Sequence, residues 1–167
     1  MNIFIGVDFM KKSSKILLLV ITIISIVMLM TVSSSAVFTI DDFEIYVIDE
    51  DSIGIAGYTG SATELKIPSS IGIWGAVKEI SDNAFENCES LQRVTIPEGV
   101  TTINYGAFSY CKNLQSITLP DSLTSIGEYA FFGCESLQDI TIPNSVETIN
   151  RSVFGSCDSL QSVIIGD

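Results

Sequence analysis

The chain contains no histidine, and only 8 Lys and Arg stand against 20 Asp and Glu, a formal net charge of −12 at pH 7. The missing imidazole removes Ser-His-Asp and Cys-His nucleophilic sites, histidine-bearing zinc sites and the usual proton shuttle near neutral pH. The shortage of cations excludes nucleic-acid binding, which needs clustered Lys and Arg to displace counterions from phosphate. Proline (4) and glycine (12) are scarce, whereas 47% of the residues are hydrophobic. The chain is therefore neither a disordered tail nor collagen-like. Its 167 residues allow one ordinary domain, two at most.

Charge is also absent from a 17-residue stretch, Ile16 to Val32. Lys11, Lys12 and Lys15 precede it, and Ser33, Ser34, Ser35 and Ala36 follow. A basic start, an apolar run and small residues at the −3 and −1 positions make a secretory signal peptide, cut after Ala36. The rival reading is an uncleaved anchor, because the run matches the minimum of about 17 residues that spans a bilayer. Only that reading brings a membrane into play. Either way the basic flank directs the rest of the chain outward, to a secreted or cell-surface location. Met1 to Phe9 fit poorly, whereas Met10 opens an ordinary signal sequence and is read as the true start. Residues 37–167 then carry 5 basic and 19 acidic residues, which favours solubility.

Nearly everything after the leader follows a step of 23 residues. Leu91, Leu114, Leu137 and Leu160 keep it, as do Cys88, Cys111, Cys134 and Cys157. Phe85, Phe108, Phe131 and Phe154 share it with Ile80, Ile103, Ile126 and Ile149, and Pro97, Pro120 and Pro143 fall in step. An earlier unit opens at Leu65 with six extra residues before Val77. Within one unit, Leu114, Ile117 and Leu119 read as a short strand facing a core, and Pro120 ends it. Leu123 and Ile126 form a second apolar set, and Ala130, Phe131 and Cys134 return the chain through a tight coil or helical turn. One such unit cannot bury its own apolar surface, but stacked units can. The predicted architecture is mostly β: a right-handed solenoid of short parallel strands in register.

The pattern I-P-x-x-V-x-x-I-x-x-x-A-F-x-x-C-x-x-L resembles the BspA-type leucine-rich repeat of bacterial and protist surface proteins. Three units match closely, from Ile96-Pro97, Leu119-Pro120 and Ile142-Pro143 to Leu114, Leu137 and Leu160, with Val153 in place of Ala in the last. Residues 43–60 are similar to the family's N-terminal hairpin, and the insert from Ser69 to Ala76 to its irregular opening repeat. The chain thus divides into 1–36 (leader), 37–64 (hairpin cap) and 65–167 (leucine-rich repeats, the last one incomplete). The resemblance implies an extracellular protein that binds a host or bacterial surface protein, or mediates adhesion. It implies no enzyme, catalytic residue, cofactor or metal. The alternatives are a mainly structural surface-layer or spacer module, or a fragment of a longer repeat protein.

Individual features divide between function and scaffold. Cysteines at equivalent positions of stacked coils have parallel Cα–Cβ vectors about 4.8 Å apart, whereas a disulfide needs its Cβ atoms to converge to about 3.8 Å. Reduced thiols forming a buried apolar ladder are expected. Gln92, Gln115, Gln138 and Gln161 are read as a stack of side-chain amides. Next to them, Arg93, Ser116, Asp139 and Ser162 vary from unit to unit beside Thr95, Thr118 and Thr141. Varied side chains on a fixed scaffold make this strip the candidate interface. Asp41, Asp42, Glu44, Asp49, Glu50 and Asp51 match neither calcium-loop pattern and are read as a solvated cap. Asp82 and Glu128 share a position with Tyr105 and Arg151, which is surface drift and not a carboxylate pair placed for catalysis. Tyr105, Tyr110, Tyr129 and Phe132 stand where other units are small or polar, and serve either as stacking platforms or as filler between coils. At the C-terminus, Phe154, Val163 and Ile165 lack a polar cap, so self-association through that end is expected.

The leader reading is checked by expressing the gene and sequencing the exported product. It should begin at Val37, and mutation of Met1 should leave its yield unchanged. Retention of Ile16 to Val32 in the product establishes the anchor instead.

Overall fold

In the computed structural model, which describes residues 37–166, the 23-residue step of the sequence becomes the hydrogen-bond register of two parallel sheets. The first strands are β1 (Val37–Ile40), β2 (Phe43–Asp49) and β3 (Ser52–Tyr58). Then come β4 (Glu64–Lys66), β5 (Ala76–Ile80), β6 (Arg93–Thr95), β7 (Thr102–Ile103) and β8 (Ser116–Thr118). The last are β9 (Ser125–Ile126), β10 (Asp139–Ile142) and β11 (Ser162–Ile165). One sheet runs β1-β2-β3-β5-β7-β9 and the other β11-β10-β8-β6-β4. Three coils give one strand to each sheet, as β4 and β5, β6 and β7, and β8 and β9, whereas β10 is followed only by the bridge at Ile149.

Register and sequence period coincide. Arg93 pairs with Ser116, Ser116 with Asp139, and Asp139 with Ser162. In the other sheet Ile80 pairs with Ile103 and Ile103 with Ile126, and a bridge continues to Ile149. Strand side chains alternate in direction. Thus Ile117 and Ile140 point inward while Thr118 and Thr141 stay exposed. Glu64 pairs with Arg93 across the six-residue insert, so the extra chain is absorbed outside the strands. Ile71 of that insert is buried, and Trp74 stacks on Phe38 at 5.0 Å between ring centroids.

The third side of each coil is a sequence of turns; among the described residues no helix forms. These turns carry their own ladder between coils. The Phe85 N–H donates to the Ala107 carbonyl at 2.8 Å, Phe108 to Ala130 at 2.8 Å and Phe131 to Val153 at 3.0 Å. Two positions per coil sit in the left-handed region. Asn83, Gly106, Tyr129 and Ser152 occupy the first, with φ of 57°, 58°, 58° and 53°. Asn87, Tyr110, Gly133 and Ser156 occupy the second, with φ of 58°, 57°, 71° and 56°.

Rings stack through the interior. Phe85 and Phe108 lie 4.8 Å apart and 9° from parallel, Phe108 and Phe131 5.6 Å and 15°, and Phe131 and Phe154 5.9 Å and 6°. Tyr58 of β3 meets Phe85 at 5.3 Å, so the N-terminal hairpin β2–β3 closes the column. β3 also joins β5 in parallel, and β1 adds an antiparallel strand to the hairpin. The hairpin turn is held by Asp49, whose carboxylate accepts the Asp51 N–H at 3.0 Å. The Ser52 hydroxyl, and then that backbone bond, hold its carboxyl below the ordinary range.

Central and terminal rings should differ in worth. Phe108→Ala removes a fully buried ring and should cost about 3–5 kcal/mol in urea unfolding. Phe154→Ala removes a half-buried ring with one stacking neighbour and should cost clearly less. Equal losses would mean that the column does not bear on stability as described.

Candidate interaction surface

The outward face of the five-stranded sheet carries all seven residues of the strip. Register sets Arg93, Ser116, Asp139 and Ser162 in one row, and Thr95 and Thr118 pair in the next, where Thr141 faces Ile164. Arg93, Ser116, Thr118, Asp139 and Thr141 are exposed; Thr95 and Ser162 are half-buried. Two are held by neighbours: Arg93 pairs with the Glu64 carboxylate, and the Ser162 hydroxyl donates to Asp139. Between β8 and β10 the face sinks into a shallow depression bordered by Thr118, Asp121, Asp139, Thr141 and Pro143. Asp121 and Pro143 belong to the bends that follow the strands, so their share in this face is set by the third dimension and not by strand alternation.

The glutamines beside the strip are joined through the backbone. The Gln115 N–H donates to the Gln92 carbonyl at 2.8 Å, Gln138 to Gln115 at 3.3 Å and Gln161 to Gln138 at 2.8 Å. A main-chain ladder therefore joins the four positions of the expected amide stack.

The cysteines are free thiols, as parallel Cβ vectors require. Cys111 and Cys134 are fully buried, whereas Cys88 and Cys157 are half-buried. The ladder is more than apolar filler. The Cys111 thiol donates to the Phe85 carbonyl at 3.0 Å, Cys134 to Phe108 at 3.2 Å and Cys157 to Phe131 at 3.1 Å. Each carbonyl also accepts the N–H three residues on, so the thiol fills its second lone pair. Burial, and next the neighbouring Cys88, push the Cys111 thiol up to about 12. Burial likewise raises the Cys134 thiol, and those of Cys88 and Cys157.

The remaining candidates separate cleanly. Asp82 is tied to the next coil, its carboxylate accepting the Tyr105 N–H at 3.1 Å. Among the described residues no group of Cys, Asp or Glu is arranged to hold a metal ion. Tyr105, Tyr129, Phe132 and Tyr110 meet edge to face, each successive pair 5.5 to 5.6 Å apart. Tyr110 leans over Gly133, where a Cβ would lie 2.8 Å from the ring, and Phe132 leans over Gly155 at 2.7 Å. Ile16 to Val32 lie outside the described residues, within which no helix is long and apolar enough to cross a membrane.

A family model, the BspA type leucine-rich repeat region, matches residues 57–167 in six copies. The chain belongs to the BspA-type leucine-rich repeat family. Solved structures agree. A leucine-rich repeat protein from Bacteroides capillosus has a TM-score of 0.71 and 28% identity, over 80% of this chain and 100% of that one. The T. pallidum leucine-rich repeat protein has 32% identity and a TM-score of 0.61, over 75% and 69% of the two chains. A leucine-rich cell surface protein of Faecalibacterium prausnitzii has 25% identity and a TM-score of 0.64, over 80% of this chain and 44% of that one. Among curated proteins no sequence matches. The BspA-type unit explains why the cysteines, phenylalanines and inward aliphatics are repeated: each has one place in the coil.

Thiol accessibility should follow position. Because the thiolate is the nucleophile, a maleimide at neutral pH should modify Cys88 and Cys157 well before Cys111 and Cys134, which should react only on denaturation. Mass spectrometry of timed digests distinguishes the four, and uniform rates would contradict the ladder.

Proposed function

We propose that this chain is an exported surface protein that binds a protein partner through the outer face of its five-stranded sheet, without catalysis. The observation that carries the reading is the strip itself. An in-register scaffold displays side chains that change from Arg93 to Ser116, Asp139 and Ser162 at one position, beside the depression at Asp121 and Asp139. Repeat proteins bind on such continuous faces, where the core fixes spacing and the outward residues fix specificity. The apolar run behind Lys15 and membership of a family of bacterial surface proteins support an extracellular location and a role in adhesion. A partner among host matrix or co-resident bacterial surface proteins fits that setting.

Capture of such proteins on the immobilised chain tests the reading. Saturable binding is expected, and Asp139→Lys together with Thr118→Arg should weaken it at least tenfold, about 1.4 kcal/mol. Failure of every candidate to bind saturably favours a structural spacer.

A second reading concerns copies of the chain. β11 is an edge strand on which Val163, Ile164 and Ile165 are 41%, 55% and 65% exposed. Such an edge pairs readily with another strand, and here the partner is a second copy. Sedimentation should show association that grows with concentration and is abolished by Ile164→Thr with Ile165→Lys. A monomer at all concentrations overturns this.

A further inference from the structure

The aromatic group on the turn side faces away from the strip and plays no part in the phenylalanine column. Tyr105, Tyr129, Phe132 and Tyr110 form one unbroken series of edge contacts, with interplanar angles of 60°, 68° and 77°. Tyr105 is 50% exposed and Tyr110 41%. The rings are held in place before any partner arrives, because Gly133 and Gly155 leave room for Tyr110 and Phe132 to lie against the next coil. Rigid, partly exposed tyrosines lose little freedom on binding and are common anchors of interfaces.

The charge around them is predominantly negative. The turn segments 81–91, 104–114, 127–137 and 150–160 hold Asp82, Glu86, Glu89, Glu128, Glu135 and Asp158, all exposed, against two cations, Lys112 and Arg151. Lys112 is itself paired with Glu135 at 3.6 Å. Ring faces attract cations, and Arg most of all. Neighbouring carboxylates add to that attraction and repel anions. A flat sugar ring is a poorer match, since rings tilted by 60° or more offer no common plane.

We propose that Tyr105, Tyr110, Tyr129 and Phe132 form a second docking surface, which receives a cationic segment of a partner protein and seats its Arg or Lys side chains against the rings. The carboxylates of Asp82, Glu86 and Glu128 supply the attraction that guides the segment in. The site is separate from the sheet face, so both can be occupied together.

The test titrates the full-length chain, in mild detergent, with an end-capped hexapeptide of alternating arginine and glycine, with its glutamate counterpart, and with chitotriose. The arginine peptide should bind and the glutamate peptide should not. Tyr110→Asn with Tyr129→Asn keeps the charge constant and places Asn in a left-handed backbone that Asn83 and Asn87 already adopt. This variant should bind the arginine peptide at least tenfold more weakly, with an unchanged melting curve. Tyr105→Thr, at an exposed side chain, should weaken binding at least threefold and serves if the double variant folds poorly. Thr118→Ala with Thr141→Ala on the sheet face should leave it unaltered, which separates this site from the strip. Undiminished binding by the tyrosine variants would reduce the effect to bulk charge and overturn the proposal, as would ring-dependent binding of chitotriose alone.

Discussion

Every feature of this molecule depends on coils stacking in register, so that each apolar layer is covered by the next. A single coil offers strands of two to five residues, far too short to stand alone. Stacking converts them into sheets and turns the hairpin's Tyr58 into the first ring over the Phe85 column. The same constraint shapes the outer face. Because the period is also the register, residues one unit apart become neighbours on a face, and a row such as Arg93, Ser116 and Asp139 is a surface before any partner is considered.

Three ladders share the work of joining coils. The two sheets supply main-chain bonds on two sides, and the turn segments supply them on the third. The cysteine thiols add a fourth set of donors at carbonyls that water cannot reach. This accounts for cysteine at these sites better than packing does. Alanine would fill part of the volume but leave one carbonyl lone pair bare, and serine would hold its hydroxyl on a shorter bond. Burial keeps the thiolate from forming at Cys111 and Cys134, so the ladder also stays chemically quiet in an oxidising setting.

Much of this was legible in the residues. Leu, Ile, Phe and Cys recurring at one step specify inward positions, and a threonine between two aliphatics specifies an outward one. Parallel Cβ vectors at one repeat position speak against disulfides on geometry alone. The left-handed positions could not be read in the same way, because Asn83, Gly106, Tyr129 and Ser152 share a backbone conformation and no chemistry. A glycine or asparagine signals such a site; a tyrosine conceals it, at a steric cost of roughly 1–2 kcal/mol. Nor could the sequence show that Trp74 returns to cover Phe38, since that contact depends on how the insert folds over the hairpin. The strip is legible as variation from unit to unit at one repeat position, yet Asp121 and Pro143 border it through bends whose direction the repeat does not encode. The edge-to-face aromatic series rests on glycines one unit away from the rings, a pairing invisible until the coils are stacked.

The small interface between one coil and the next has a mechanical consequence. Under tension applied along the chain, a stack of this kind does not fail all at once. The outermost coil, held on one side only, peels first, and the newly exposed coil becomes the next to go. Each regular coil frees one unit of 23 residues, or roughly 80 Å of extended chain at about 3.5 Å per residue. A force–extension trace of the chain would then be a staircase, its steps equal for the regular coils and longer for the coil with the six-residue insert, and a single abrupt rupture would contradict it. Such stepwise lengthening limits the load passed along the stack while most of the outer sheet face remains folded.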